Sequence, residues 1–121
     1  MKRRMSFPDR KISESFLEFA EPLLQFDGKI PSHEEMEGVL RIAFAAWNAV
    51  VFDTVRGNTH FVTQVRQQLA EHPPLAALIE TMILRKQSAF GRDLRLVGDY
   101  KLVQHDGEWR LRVEARTPSA I

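Results

Sequence analysis

The chain of 121 residues contains no cysteine. That excludes a disulfide framework, a thiol nucleophile, a zinc knuckle and a cysteine-ligated iron–sulfur cluster, and it suits a reducing compartment. Glycine is scarce: the six glycines stand singly, and neither G-x-G-x-x-G nor a phosphate-binding P-loop can be assembled from them. None of the serines Ser6, Ser13, Ser15, Ser32, Ser88 and Ser119 sits in a G-x-S-x-G context, so a nucleophile elbow is missing too. The basic start "MKRRMSFPDRK" has no apolar stretch of signal-peptide length behind it. The apolar run inside "RIAFAAWNAVVFD", residues 41–53, falls short of the roughly 20 residues that span a bilayer. These absences lead to the expectation of a cytoplasmic protein that makes no membrane contact.

What is present describes an ordinary globular chain, with 44% apolar and 27% charged residues. The length suits one domain. A single globular domain is expected over residues 11–117, between a flexible basic tail at 1–10 and a flexible C-terminus at 118–121. The net charge of +1 hides an asymmetry. Residues 1–11 carry five bases and one acid; residues 12–55 carry two bases and eight acids; residues 85–121 carry eight bases and five acids. An acidic front half thus precedes a basic back half, a dipole that can steer association.

Hydrophobic periodicity predicts four helices. Phe16, Phe19, Ala20, Leu23 and Leu24 mark one face of a helix over residues 13–25. Ser13 is its expected N-cap, Ile12 and Leu17 form a hydrophobic staple, and Pro22 kinks or ends it. In "IPSHEEMEG", Ser32 and Glu35 form a capping-box pattern that opens a second helix over about 33–55, with Gly57 as its left-handed terminator. Its second half is apolar almost all round, which marks it as the central buried helix. Gly38 lies inside this helix, where a glycine is unfavourable. A third helix over 59–71 turns Phe61, Val62, Val65 and Leu69 inward and ends at His72-Pro73-Pro74. In the fourth helix, Leu75, Leu78, Ile79, Met82, Ile83 and Phe90 make a face that ends at Gly91.

After Gly91 the period drops from 3.6 to 2. Two strands, about 94–105 and 108–116, flank Asp106-Gly107, a strong hairpin signal. A two-residue turn sets His105 opposite Glu108, Gln104 opposite Trp109, Leu102 opposite Leu111, Tyr100 opposite Val113 and Gly98 opposite Ala115. One face then collects Leu96, Tyr100, Leu102, Trp109, Leu111 and Val113; the other is charged. The fold class expected is α+β, a four-helix N-terminal region followed by a C-terminal antiparallel β-hairpin. A lone hairpin is marginal in water, so its apolar face must cover the helices, and its edges invite a second copy. A homodimer is expected, through paired hairpin edges or through apolar faces.

The candidate site residues carry no catalytic signature. Asn48 is the one polar residue between Arg41 and Asp53, and a buried amide must find partners. With Trp47, Phe52 and Asp53 it defines a candidate ligand pocket, against the plainer reading of a structural hydrogen bond. His33 and Glu37 stand four apart, a spacing that can ligate a metal, but without a second histidine nearby they assign none. No cofactor is assigned. Arg85, Lys86, Arg92 and Arg95 bracket the end of the fourth helix, a candidate rim for phosphates or an acidic partner, although aromatics for base stacking do not accompany them. The function expected is a non-catalytic interaction or assembly module with a protein partner. The alternatives are a nucleic-acid-binding protein using the basic rim and hairpin, and a small-ligand protein or enzyme with a pocket near Asn48.

Overall fold

A computed structural model describes residues 11–25, 31–106 and 108–116, without the side chains of His105 and Trp109. The expected tails, the connector at Gly28, the turn glycine Gly107 and the packing of the Trp109 side chain lie outside the described residues. The element order is α1 (Ile12–Ala20), a 3₁₀ turn (Glu21–Leu23), α2 (His33–Arg56), α3 (His60–Gln68), α4 (Pro73–Ala89), β1 (Leu96–His105) and β2 (Glu108–Arg116). This is the α+β fold read from the sequence: four α-helices, then one antiparallel hairpin.

Helix α2 is the axis of the core. The Ser32 hydroxyl accepts from the Glu35 N–H at 3.1 Å, and the Glu35 carboxylate accepts from the Ser32 N–H at 3.0 Å. That reciprocal box satisfies two backbone donors left over at a helix start. At the other end Gly57 adopts φ 70° and closes the helix. Between them Leu40, Ala43, Ala46, Trp47, Ala49, Val50 and Val51 are buried. At 24 residues, α2 is long and apolar enough to cross a membrane by length and composition, which corrects the estimate made from the apolar run alone. Here 44% of its most apolar window is buried inside the molecule.

Four local expectations are corrected. Helix α1 starts at Ile12 with Lys11 as N-cap, so Ser13 is not the cap. Ile12 is drawn into the core, while Leu17 is exposed, and the staple does not form. On α4, Ile79, Met82, Ile83 and Phe90 are buried, but Leu75 and Leu78 are exposed. Lys86 takes an interior position instead. In the hairpin the register holds from His105↔Glu108 to Tyr100↔Val113, then shifts between Val97 and Asp99. Val97, not Gly98, faces Ala115. A Cβ at Gly98 would run into the Arg116 side chain, which explains a glycine at this bulge. The shift lets both Leu96 and Val97 be buried.

The hairpin lies across the helices, β1 beside α2 and β2 beside α1. Leu102 is buried, and Tyr100, Leu111 and Val113 are half-buried against the core. Helices α3 and α4 are joined at the surface by a two-bond ion pair from Arg66 to Glu80, at 2.8 and 2.7 Å.

The two glycines of α2 should respond oppositely to alanine. A Cβ at Gly38 meets nothing within 4 Å and the backbone there is helical, so Gly38→Ala should stabilise by about 1 kcal/mol. Gly57→Ala forces alanine into the left-handed region and should cost about 1–2 kcal/mol. Urea denaturation followed by circular dichroism checks both.

Candidate functional site

The amide of Asn48 is bound to one strand residue. Its Nδ2 donates to the Val97 carbonyl at 2.9 Å, and its Oδ1 accepts from the Val97 N–H at 2.8 Å. A helical side chain thus pairs with both backbone groups of Val97, as a neighbouring strand would. One residue earlier, Trp47 Nε1 donates to the Arg95 carbonyl at 2.7 Å. Together they anchor the start of the hairpin to α2.

The Trp47 ring is fully buried. Phe16, Phe19 and Phe90 surround it at centroid distances of 6.0, 5.3 and 6.0 Å. The Lys86 ammonium lies 4.2 Å from the ring centroid, in the range of a cation–π contact. Lys86 is completely buried. Its Nζ donates to the carbonyls of Phe90 and Asp93 at 2.6 and 2.7 Å. Burial pulls its pKa down to about 8, with Asp93 opposing the shift and Arg95 adding to it. The Asp93 carboxylate, also buried, accepts from the Arg95 guanidinium at 2.9 and 2.6 Å and from the Arg95 N–H at 3.2 Å. Asp93 escaped the sequence reading; its one signal was an acid two residues before an arginine, just ahead of a strand.

The remaining candidates separate. Asp53 is buried and accepts from the Phe61 and Val62 N–H groups, each at 2.9 Å. A carboxylate from α2 therefore caps α3, where the helix dipole favours it. Phe52 stacks on Phe61 at 4.9 Å, with the Arg56 guanidinium over both rings. Beside Asp53 is a shallow crevice of about 190 Å³ walled by Thr54, Asn58, Val62, Arg66 and Gln87, among others. Asn48, Trp47 and His60 are not among its walls. Asn48 and Trp47 face β1; Phe52 and Asp53 face α3.

The basic rim also divides. Arg85 donates through Nε to the Phe19 carbonyl at 2.9 Å and through its guanidinium to the Glu18 carbonyl at 2.8 Å, capping the end of α1. Lys86 and Arg95 are engaged as described, and Arg92 alone of the four is exposed. His33 Nε2 lies 3.6 Å from Glu37 Oε1 on the surface of α2. Among the described residues no group of three or more metal-ligating side chains comes together. Tyr100 sits half-buried against Phe44, and burial, then the nearby Glu37, push its pKa up against the opposing Arg41.

Two outcomes follow. Asn48→Leu leaves the Val97 N–H and C=O without partners and should cost about 2–4 kcal/mol in urea unfolding. For Lys86, the folded-state pKa lies below the ordinary 10.5. Between about pH 8 and 10.5 the unfolded chain therefore holds more protons, and stability rises with pH across that window. From pH 8 to 9.5 the rise should be roughly 1–2 kcal/mol, and Lys86→Met should abolish it. Tyr100 acts in the opposite sense at higher pH and is common to both proteins, so the difference between their urea midpoints isolates Lys86. Comparison with protein-family models, with curated proteins and with solved structures finds no match to this chain.

Proposed function

We propose that this protein is a non-catalytic interaction and assembly module of the cytoplasm, working through its C-terminal hairpin and forming a homodimer. The observation that carries this reading is the engagement of Asn48 by the Val97 backbone. That pairing commits one of the amide's two N–H donors and its carbonyl oxygen to a single residue and fixes the group against β1. The buried charged residues Asp53, Lys86 and Asp93 follow suit. Asp53 binds helix N–H groups, Lys86 binds carbonyls, and Asp93 binds Arg95. Catalysis needs groups aimed at a substrate and poised to change their bonding, and these are committed to holding helices and hairpin together.

Assembly draws its support from the sheet. Among the described residues it has only two strands, so it presents unpaired backbone at its margins, and natural proteins cover or blunt such margins. Nucleic-acid binding through the rim at α4 draws less support, because Arg85, Lys86 and Arg95 are engaged within the chain.

A thermal-shift screen against common metabolites and nucleotides tests the reading. No compound should raise the melting temperature in a saturable way, and mobility-shift assays with RNA and DNA should show no complex even at low salt. A metabolite that stabilises the protein by mass action, or a nucleic-acid complex that weakens steeply with salt, would replace the assembly reading.

A further inference from the structure

The hairpin's apolar face is covered by its own helices, with Leu102 buried and Tyr100, Leu111 and Val113 packed on the core. What remains for a partner is an edge, and the two edges differ. On β1, the Val97 N–H and C=O are taken by Asn48, and the Tyr100 N–H is taken by the Asp99 carboxylate at 2.9 Å. The bulge at Gly98 breaks this edge further.

β2 runs without a bulge from Glu108 to Arg116 and contains no proline. The two-residue turn makes His105 and Glu108 the hydrogen-bonded closing pair. The alternation of an antiparallel ladder then aims the backbone groups of Arg110, Arg112 and Glu114 at β1, and those of Leu111, Val113 and Ala115 away from it. Among the described residues, no turn, loop or inter-element backbone hydrogen bond reaches these three.

Resting on the assembly reading, we infer that β2 pairs antiparallel with β2 of a second copy, about a twofold axis at Arg112, to form a continuous four-stranded sheet. The charge pattern selects this register. With the axis at Arg112, Arg110 faces the partner subunit's Glu114 and Glu108 faces the partner subunit's Arg116. Each pair occurs twice, which gives four opposite-charge pairs for one like pair on the axis. On the inner face Leu111 meets the partner subunit's Val113. An axis at Leu111 would set Arg110 against the partner subunit's Arg112 and Glu108 against the partner subunit's Glu114, all like charges. An axis at Val113 would set Arg110 against the partner subunit's Arg116 and Arg112 against the partner subunit's Glu114, so like and opposite pairs cancel where the axis at Arg112 gains three pairs net. Axes between residues would place apolar positions opposite charged ones, which the pleat forbids. Directly opposed charges of unlike sign stabilise a sheet and those of like sign destabilise it.

Because the chain lacks cysteine, single cysteines test this register directly. Residues facing each other on the axis as a non-hydrogen-bonded pair have Cα atoms about 4.5 Å apart, within reach of a disulfide. Arg112→Cys should therefore cross-link to itself under mild oxidation. Arg110→Cys and Glu114→Cys should each fail alone and cross-link when mixed. Sedimentation of the unmodified full chain should show a dimer. Arg110→Glu should weaken it by about tenfold, and Arg110→Glu with Glu114→Arg should restore it. Arg110, Arg112 and Glu114 are exposed, so unchanged melting curves confirm folding of each variant. A monomer at every concentration removes the homodimer reading together with the pairing; a dimer in which Arg112→Cys does not cross-link and the charge swap does not rescue overturns the pairing alone. Neither result touches the non-catalytic reading, which the ligand screen decides separately.

Discussion

The fold depends on how a two-stranded hairpin, too small to stand alone, is held to a helical body. The anchor is a pair of adjacent residues in the middle of α2. Trp47 fixes the approach by binding the Arg95 carbonyl, and Asn48 fixes the first strand by binding both backbone groups of Val97. The arrangement resolves two needs at once. A mostly apolar helix must find partners for an amide, and the exposed margin of β1 must find partners for its backbone. Each satisfies the other. A hydrophobic residue at position 48 could pack against the strand but could not complete it.

Around that anchor the molecule buries charge in an ordered way. Lys86 reaches from α4 under the Trp47 ring to the carbonyls of Phe90 and Asp93, in the turn that leads into β1. Asp93 and Arg95 close the same turn as a neighbouring ion pair. Isolated buried charges are expensive, and paired and hydrogen-bonded ones are tolerable. The α4–β1 connection is therefore held by a chain of ionic contacts wrapped in aromatic rings. Asp53 and Arg85 play comparable parts at helix ends, one capping α3 from α2 and the other capping α1 from α4. Asn48, Asp53, Arg85 and Lys86 thus fasten one element to the next.

The surface tells a different story. Arg110, Arg112, Glu114 and Arg116 stand exposed on β2, and their alternation is self-complementary when the strand is reversed. Strand edges carrying charges are usually protected from pairing. In the proposed pairing four unlike pairs outweigh one like pair, whereas an axis at Leu111 brings like charges together and one at Val113 gains nothing, which is how charge confers specificity more than raw affinity.

The sequence by itself determined the elements. The capping box at Ser32 and Glu35, the stop at Gly57, the breaks at Pro22 and Pro73-Pro74 and the switch to alternation after Gly91 were all legible, because caps, prolines and periodicity act within a few residues. The hairpin register was legible as far as Tyr100 for the same reason. Beyond it the bulge was not, because it answers to Asn48, some fifty positions away in the chain, and to the Arg116 side chain across the ladder. Likewise the run "RIAFAAWNAVVFD" announced a buried amide without saying what it binds. Lys86 and Arg85 resembled a solvent-facing rim, since cations near a helix end ordinarily are one. Only the tertiary structure decided that Lys86 points inward, that Asp53 caps a different helix and that Asn48 completes a strand. Local pattern records what each residue prefers; which distant backbone group satisfies it is settled only when the elements pack and water is excluded.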